Sequence, residues 1–354
     1  NEPLFAKVLQ ASKDVSSSGP RYTSYPTVPE WNTWDSSEYQ KLLTHINSQD
    51  FSLYIHFPYC KTKCLFCACN AYVSNNSAIR SNYLVHMTQE LKMLMPYLAN
   101  KKIRHLHLGG GTPTYLSEQE LHEILFIVYE QYQFSANPER SVEIDPRTIS
   151  RAKLEILKNF GFNRVSFGIQ DFDPKVQKFI NRQHSLSQIA EIIQETRLVG
   201  ISNINLDLIY GLNHQTPTTW INTLNAVLSL KPTRIAAYSY ANVPWKKKHQ
   251  LSLKDGIVSP SEKLKMLLIT KDFFLNNGYT AIGMDHFALP EDPLAKALQD
   301  HKLYRNFMGY TDQKTDVLLG LGVSSISETA NSFHQNEKVY ATYQQRVEQE
   351  QVPT

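Results

Sequence analysis

The stretch SLYIHFPYCKTKCLFCACN, residues 52–70, opens as a β-branched and aromatic run and closes on four cysteines within ten residues. A strand that runs straight into a chemistry-bearing loop is the unit of α/β barrels, whose sites lie at the C-terminal ends of parallel strands. The pattern recurs along the chain. Strand-like runs HLHL (105–108), SVEID (141–145), RVSFGI (164–169), INLDLI (204–209) and RIAAYSY (234–240) alternate with helical stretches near 78–97, 117–131, 150–160, 186–199, 217–229 and 261–277. Six strand–helix units in series imply a parallel sheet with right-handed crossovers. Six are too few to close an eight-stranded barrel, so the expected fold is α/β, a partial (β/α)6 TIM-like barrel, with a doubly wound open sheet as the alternative. Cys60, Gly109 to Gly111, Asp145, Gln170, Tyr210-Gly211 and Tyr240-Ala241-Asn242 fall at or just past strand ends, which favours the barrel. YTAIGM (279–284) offers one more strand.

Outside this core, residues 1–50 are polar and carry GPRYTSYPT (19–27), whose prolines and glycine predict an extended arm. The expected organisation is an arm over 1–50, a barrel over 51–290 and an extension over 291–354. The chain starts at Asn1 and stops at Pro353-Thr354 after a charged, helix-like segment, so either end reads as a crop of something longer. Hydrophobic content of 42% and charged content of 19% suit a globular enzyme, and no apolar run reaches the roughly 18 residues a membrane span needs. Nothing resembles a signal peptide. A net charge of +3 argues for no nucleic-acid partner, and the basic clusters at 101–104 and 246–248 read as solvated faces. A monomer in the cytoplasm is the expectation, because clustered cysteines without an extracellular context point to metal or redox chemistry in a reducing compartment.

Three chemistries compete for the cysteines. A four-thiolate zinc site draws on two C-x2-C knuckles separated by a long loop, and no second knuckle exists. A thioredoxin-like reading of Cys64-Leu65-Phe66-Cys67 leaves Cys60 and Cys69 unexplained. Cys60, Cys64 and Cys67, spaced C-x3-C-x2-C, can take three corners of a cubane iron–sulfur cluster, with the fourth iron open to a small molecule.

The run CKTKCLFC resembles the signature of radical S-adenosylmethionine (SAM) enzymes. The longer YIHFPYCKTKCLFCACN resembles the oxygen-independent coproporphyrinogen III oxidase family within them, as do GPRYTSYPT, GGGTPTYL (109–116), EIDPR (143–147), FGIQDF (167–172), NLDLIYGL (205–212), GMDHFA (283–288), RNFMGYT (305–311) and LGLGVSSIS (319–327). The resemblance covers residues 19 to about 345. It implies that Cys60, Cys64 and Cys67 bind a [4Fe-4S] cluster and that Cys69 does not, since a fourth thiolate would block the open iron. It also implies two SAM molecules. Tyr54, Phe66, Gly110, Glu143 and Ile326 are expected at the first, and Gly111, Thr112, Gln170, Arg182, Asp207 and Ala241 at the second.

Each residue also has a plainer reading. The glycine run could be a tight turn, Glu143 and Asp145 could be salt-bridged carboxylates on one strand face, and Asp207 a buried structural acid. His56, His105, His107 and His286 lack helical i, i+4 pairing and are expected to be structural, His286 being the candidate exception. Met308 departs from the resembled family, which shows glutamine there. The resemblance also implies a helical C-terminal domain, closing over the substrate, that this chain lacks. The reaction it implies is anaerobic oxidative decarboxylation of coproporphyrinogen III, with a reducing donor protein and an external electron acceptor as partners. Arg21, Arg305 and Lys246 to Lys248 are candidate cations for the tetrapyrrole's propionates. The alternative within the superfamily is a haem-trafficking paralogue, which typically lacks both the arm and the Cys67-x-Cys69 arrangement.

Overall fold

The computed structural model describes residues 26–32, 36–45, 48–98 and 100–354 of the chain. Arg21 and all of GPRYTSYPT except Pro26 and Thr27 lie outside the described residues. Residues 1–50 include a helix the composition did not suggest. It is α1 (Ser36–Thr44), which turns Tyr39 and Leu43 into the core.

Residues 50–276 follow the expected alternation: β1 (Asp50–Phe57), the short β2 (Tyr59–Cys60) and β3 (Tyr72–Val73), α2 (Ser77–Leu98), β4 (Lys102–Gly110), α3 (Glu118–Gln131), β5 (Gln133–Ile144), α4 (Arg151–Asn159), β6 (Arg164–Gln170), α5 (Pro174–Phe179), α6 (Leu186–Leu198), β7 (Asn203–Tyr210), α7 (Pro217–Ser229), β8 (Arg234–Ser239) and α8 (Pro260–Asn276). Helix starts are written locally. Ser117 with Glu120, Ser185 with Gln188 and Ser259 with Glu262 form capping boxes that satisfy N–H groups the first turn leaves free. The strands are covered on both faces, as a parallel sheet requires, with Phe51, Leu53 and Ile55 of β1 fully buried.

The chain then adds β9 (Thr280–Gly283), β10 (His286–Ala288), α9 (Pro293–Gln299), β11 (Tyr304–Asn306), β12 (Gly309–Thr311), β13 (Leu318–Leu321), β14 (Ile326–Glu328), β15 (Phe333–Gln335) and α10 (Tyr340–Glu348). Eleven strands form one sheet in the order β15-β14-β13-β1-β4-β5-β6-β7-β8-β10-β9. It is parallel from β13 to β8, and the expected strand at YTAIGM joins through an antiparallel hairpin. The sheet curls. Glu139 of β5 lies 3.5 Å from Arg234 of β8, although three strand spacings would separate those strands by about 14 Å in a flat sheet.

The separate β11–β12 hairpin lies across the seam this open sheet leaves. The Tyr304 hydroxyl donates to Glu328 of β14 (3.0 Å), the Tyr310 ring packs 5.1 Å from His286 of β10, and Thr311 pairs with His105 inside the sheet (3.2 Å). On the opposite side α10 docks on α2 through buried Glu90. That carboxyl accepts hydrogen bonds from Tyr343 (2.6 Å), the Gly322 amide (2.8 Å) and Asn336 (2.6 Å).

Candidate active site

The cysteine loop is pinned at its base by the parallel pairs Tyr59–Tyr72 and Cys60–Val73, and by the Tyr72 amide on the Pro58 carbonyl (2.6 Å). Its far side hangs on α5, through the Leu65 amide to the Ile180 carbonyl (3.0 Å) and the Asn181 side chain to the Lys63 carbonyl (2.8 Å). All four cysteines are free thiols. Cys60, Cys64 and Cys67 line one cavity of about 250 Å³ with Gly110, Gly111, Thr112, Asp145 and Arg182.

Hydrogen-bond donors surround the thiols of that cavity. Arg182 and Arg147 aim guanidinium nitrogens at the Cys64 sulfur (3.4 and 3.5 Å), and the Thr112 hydroxyl donates to Cys60 (3.3 Å). Burial pushes the Cys60 thiol up to about 11, whereas a hydrogen bond from Cys69, helped by Lys63 and Lys247, draws Cys67 down to about 6. Among the described residues no three His, Cys, Asp or Glu side chains converge on a single-ion site. Soft sulfur donors spaced around a void, each able to reach a different iron, fit a cubane better than tetrahedral zinc.

Glycines open the wall opposite the cysteines. A Cβ on Gly111 would come within 3.0 Å of the Cys60 sulfur and 2.9 Å of the Pro58 backbone. Gly110 has φ +116°, a left-handed conformation in which side chains are strained. The Gly110 amide donates to Glu143 (3.1 Å), and His107 stands 3.5 Å from the same carboxylate. Withdrawal from bulk water raises the pKa of Glu143, but His107, the Gly110 N–H and His56 outweigh this and hold the carboxyl below its ordinary range.

Beyond Glu143 lies a second cavity of about 440 Å³, lined by Tyr54, His56, Cys69, Gly110, Glu143, Lys247, Phe307, Met308, Ile326 and Lys338 among others. Cys69, Gly110 and Glu143 face both cavities. The two sets of expected cofactor residues overlap at this shared wall: Gly110 and Glu143 belong to both cavities, and only Tyr54 and Ile326 of the first set are confined to the larger one. Tyr54, Gly110, Glu143 and Ile326 share the larger cavity, and Gly111, Thr112, Gln170, Arg182 and Asp207 share the smaller. Phe66 lies with the second set, not the first. Ala241 lines neither; its carbonyl accepts from Gln250 (3.2 Å).

Arg182 is fixed by two bonds to the Gly168 carbonyl (2.9 and 2.6 Å) and by Asp145 (3.2 Å). Burial would raise Asp145, but Arg147 and Arg182 keep it below its usual value. Asp207 behaves oppositely. Burial, reinforced by Glu143, raises it even though Ser166 (2.7 Å) and Asn205 (2.8 Å) donate to it. Gln170 closes β6 at φ 71°, and the next residue, Asp171, accepts from the Thr223 hydroxyl (2.7 Å) and from Gln215.

Some residues around the site were given another role by the sequence, and His249 and Gln250 none. His56 and His107, expected to be structural, belong to the polar wall: His56 pairs with the Tyr54 hydroxyl (3.0 Å) and the Asn70 carbonyl (3.1 Å). The usable signal was a period of two, which puts Tyr54 with His56 and His105 with His107 on one strand face. His286 pairs with Asp285 (3.0 Å) at the barrel mouth, and Met308 lines the larger cavity at the hairpin tip. Lys247, His249 and Gln250, after β8, hold the outer side of the cysteine loop by donating to the carbonyls of Cys69, Cys67 and Phe66, each at 2.8 Å.

Residues 54–227 match the model of the Radical SAM superfamily. The chain is 40% identical over 335 residues to the oxygen-independent coproporphyrinogen III oxidase of Escherichia coli (strain K12), covering 94% of this chain and 73% of that protein. It is 39% identical over 357 residues to the enzyme of the same name from Helicobacter pylori (strain J99), covering 99% and 77%. The solved structure of coproporphyrinogen III oxidase from Escherichia coli, described as a radical SAM enzyme, superposes with a TM-score of 0.89 at 39% identity, over 94% of this chain and 77% of that one.

Proposed function

Because the chain belongs to the oxygen-independent coproporphyrinogen III oxidase family of the radical SAM superfamily, we propose that it converts coproporphyrinogen III to protoporphyrinogen IX without oxygen, decarboxylating two propionate side chains to vinyl groups. The observation that carries this reading is the reach of the likeness, which runs through 94% of the chain, far past the superfamily segment at 54–227. The relatives reported are all coproporphyrinogen III oxidases by name, and nothing among them supports a haem-trafficking role.

Cys60, Cys64 and Cys67 would hold the cluster, with Arg147 and Arg182 offsetting its negative charge. When bound, a [4Fe-4S] cluster with SAM supplies the one-electron reductive cleavage that yields a 5′-deoxyadenosyl radical able to take hydrogen from a propionate side chain. We assign one SAM to the side of each cavity, with Tyr54 and Ile326 at one, Phe66, Gly111, Thr112, Gln170, Arg182 and Asp207 at the other, and Gly110 and Glu143 on the wall between them. Glu143, held ionised, suits a cationic centre. Asp207, oriented by Ser166 and Asn205, offers its carboxylate oxygens as acceptors to a cofactor hydroxyl or amino group. Phe307, Met308 and Ile326 present apolar surface to a macrocycle, while Lys247 and Lys338 on the same cavity supply cations for its carboxylates.

A protein electron donor and an external acceptor complete the balance, and a reducing compartment such as the cytoplasm keeps the four thiols free. Among the described residues no helix is long and apolar enough to cross a membrane. The test is anaerobic turnover with reductant, SAM and coproporphyrinogen III. Two carbon dioxide molecules per protoporphyrinogen IX are expected, whereas SAM cleavage with no carbon dioxide from this substrate would sink the assignment.

A further inference from the structure

Three side chains from one four-residue segment capture three carbonyls of the cysteine loop. Gln250, 1% exposed, donates its amide to the Phe66 carbonyl (2.8 Å) and to the Ala241 carbonyl (3.2 Å), while its own oxygen accepts from the Val243 amide (2.7 Å). All three of its bonds therefore go to backbone, and they tie the loop after β1 to the loop after β8. His249 reaches the Cys67 carbonyl and Lys247 the Cys69 carbonyl, both at 2.8 Å. The segment is itself braced, since the Lys246 and Lys247 amides both donate to Val243 (2.9 Å) and the Gln250 amide donates to Lys247 (2.9 Å).

A trans peptide carries its N–H on the edge opposite its C=O. Fixing the carbonyls of Phe66, Cys67 and Cys69 therefore also fixes where the next amides point. The Cys67 amide is committed to the Cys64 carbonyl (3.2 Å), tightening the turn between two of the proposed ligands. The amides of Ala68 and Asn70 are turned away from the segment. Amide donors near cluster sulfur are one of the means by which a protein sets a cluster's potential.

We propose that residues 247–250 form a clasp that positions the cluster loop: His249 and Lys247 set the amides of Ala68 and Asn70, and Gln250, the central positioning residue, tightens the Cys64–Cys67 turn and holds the Phe66 and Ala241 backbones in register for the cofactor. The inference rests on the cluster assignment made above. It concerns residues that carry no ligand atom, which is why the cysteine spacing alone does not point to them.

The experiment uses the full chain, reconstituted anaerobically, with the near-isosteric Gln250→Met, Gln250→Leu, His249→Leu and the donor-retaining His249→Gln. Thermal midpoint, iron content, EPR-monitored midpoint potential and SAM affinity are measured for each. Gln250→Met and His249→Leu are expected to load iron like the native chain, His249→Leu with a more negative potential and each variant with SAM affinity weakened on the order of tenfold, the lower end of what loss of an outer-shell partner costs a metal site. His249→Gln should return both to native values. Unchanged potential in His249→Leu together with unchanged affinity in Gln250→Met and His249→Leu overturns the proposal. So does equal loss of thermal midpoint in all four variants, which would make the segment a support of the fold alone. Carbon dioxide release by the native chain, run in parallel, tells failure of the substrate reading apart from failure of the clasp.

Discussion

Cys67 and Cys69 stand two residues apart and share a hydrogen bond that draws the first towards thiolate and pushes the second up. The bond casts Cys69 as the donor of the pair, a role a hydroxyl can fill. Cys69→Ser should therefore keep the [4Fe-4S] absorbance and EPR signal after reconstitution, while Cys60→Ser, Cys64→Ser and Cys67→Ser each abolish it, because a hydroxyl is a poor soft-metal ligand. Loss in Cys69→Ser with retention in one of the others would show the wrong triad. Asp207 carries a second expectation. Removing its carboxyl should weaken one of two SAM binding events by about 1.5 to 3 kcal/mol, the usual worth of a hydrogen bond to a charged group. Anaerobic calorimetry decides it, and a stoichiometry of one that Asp207→Ala leaves untouched removes the second molecule. The cysteines were legible because ligand spacing is written in sequence. Gln250 was not, because it acts on carbonyls, which every residue has.

Helix α10 meets α2 around Glu90, and here pH sets the strength of the junction. Burial raises the Glu90 carboxyl from 4.5 to about 7 in the fold, although Tyr343, Gly322 and Asn336 all donate to it. The folded chain therefore holds a proton on Glu90 that the unfolded chain has released between those values. The stabilisation is complete below about pH 4.5 and declines as pH rises to about 7, a loss on the order of 3 kcal/mol at about 1.4 kcal/mol per pKa unit. In urea titrations the difference between the native chain and Glu90→Gln should change across this window and stay flat above it; a difference independent of pH would show that the fold leaves the Glu90 pKa unshifted. The helices were readable from their period and caps. By contrast α1 was masked by neighbouring prolines, and β13, a four-residue run containing Gly320, is too short and glycine-broken to register as a strand.

The molecule as a whole is an open, curled sheet whose two free margins, the hairpins β9–β10 and β14–β15, are bridged by β11–β12. The class of fold was legible because six strand–helix repeats permit few topologies. The seam was not, because which margins face each other depends on the curl and not on any local run.

The pairing of β13 with β1 joins residues at opposite ends of the chain, with Ser52 opposite Leu318. During synthesis β1 emerges early, and its partner on that flank follows after a delay on the order of tens of seconds at ordinary elongation rates. Through that interval one margin of an apolar strand has unpaired amides and carbonyls, a template for the wrong chain. The nascent protein thus passes through a long vulnerable window that the finished structure conceals, and late closure of distant strands is slow by its nature. Versions of the chain shortened from the C-terminus should accordingly switch from aggregated to dispersed over a narrow span, with ends before Val317 insoluble and ends beyond Gln335 recoverable as monodisperse protein. A gradual improvement with length in size-exclusion profiles would show that β1 is protected by something other than its last partner.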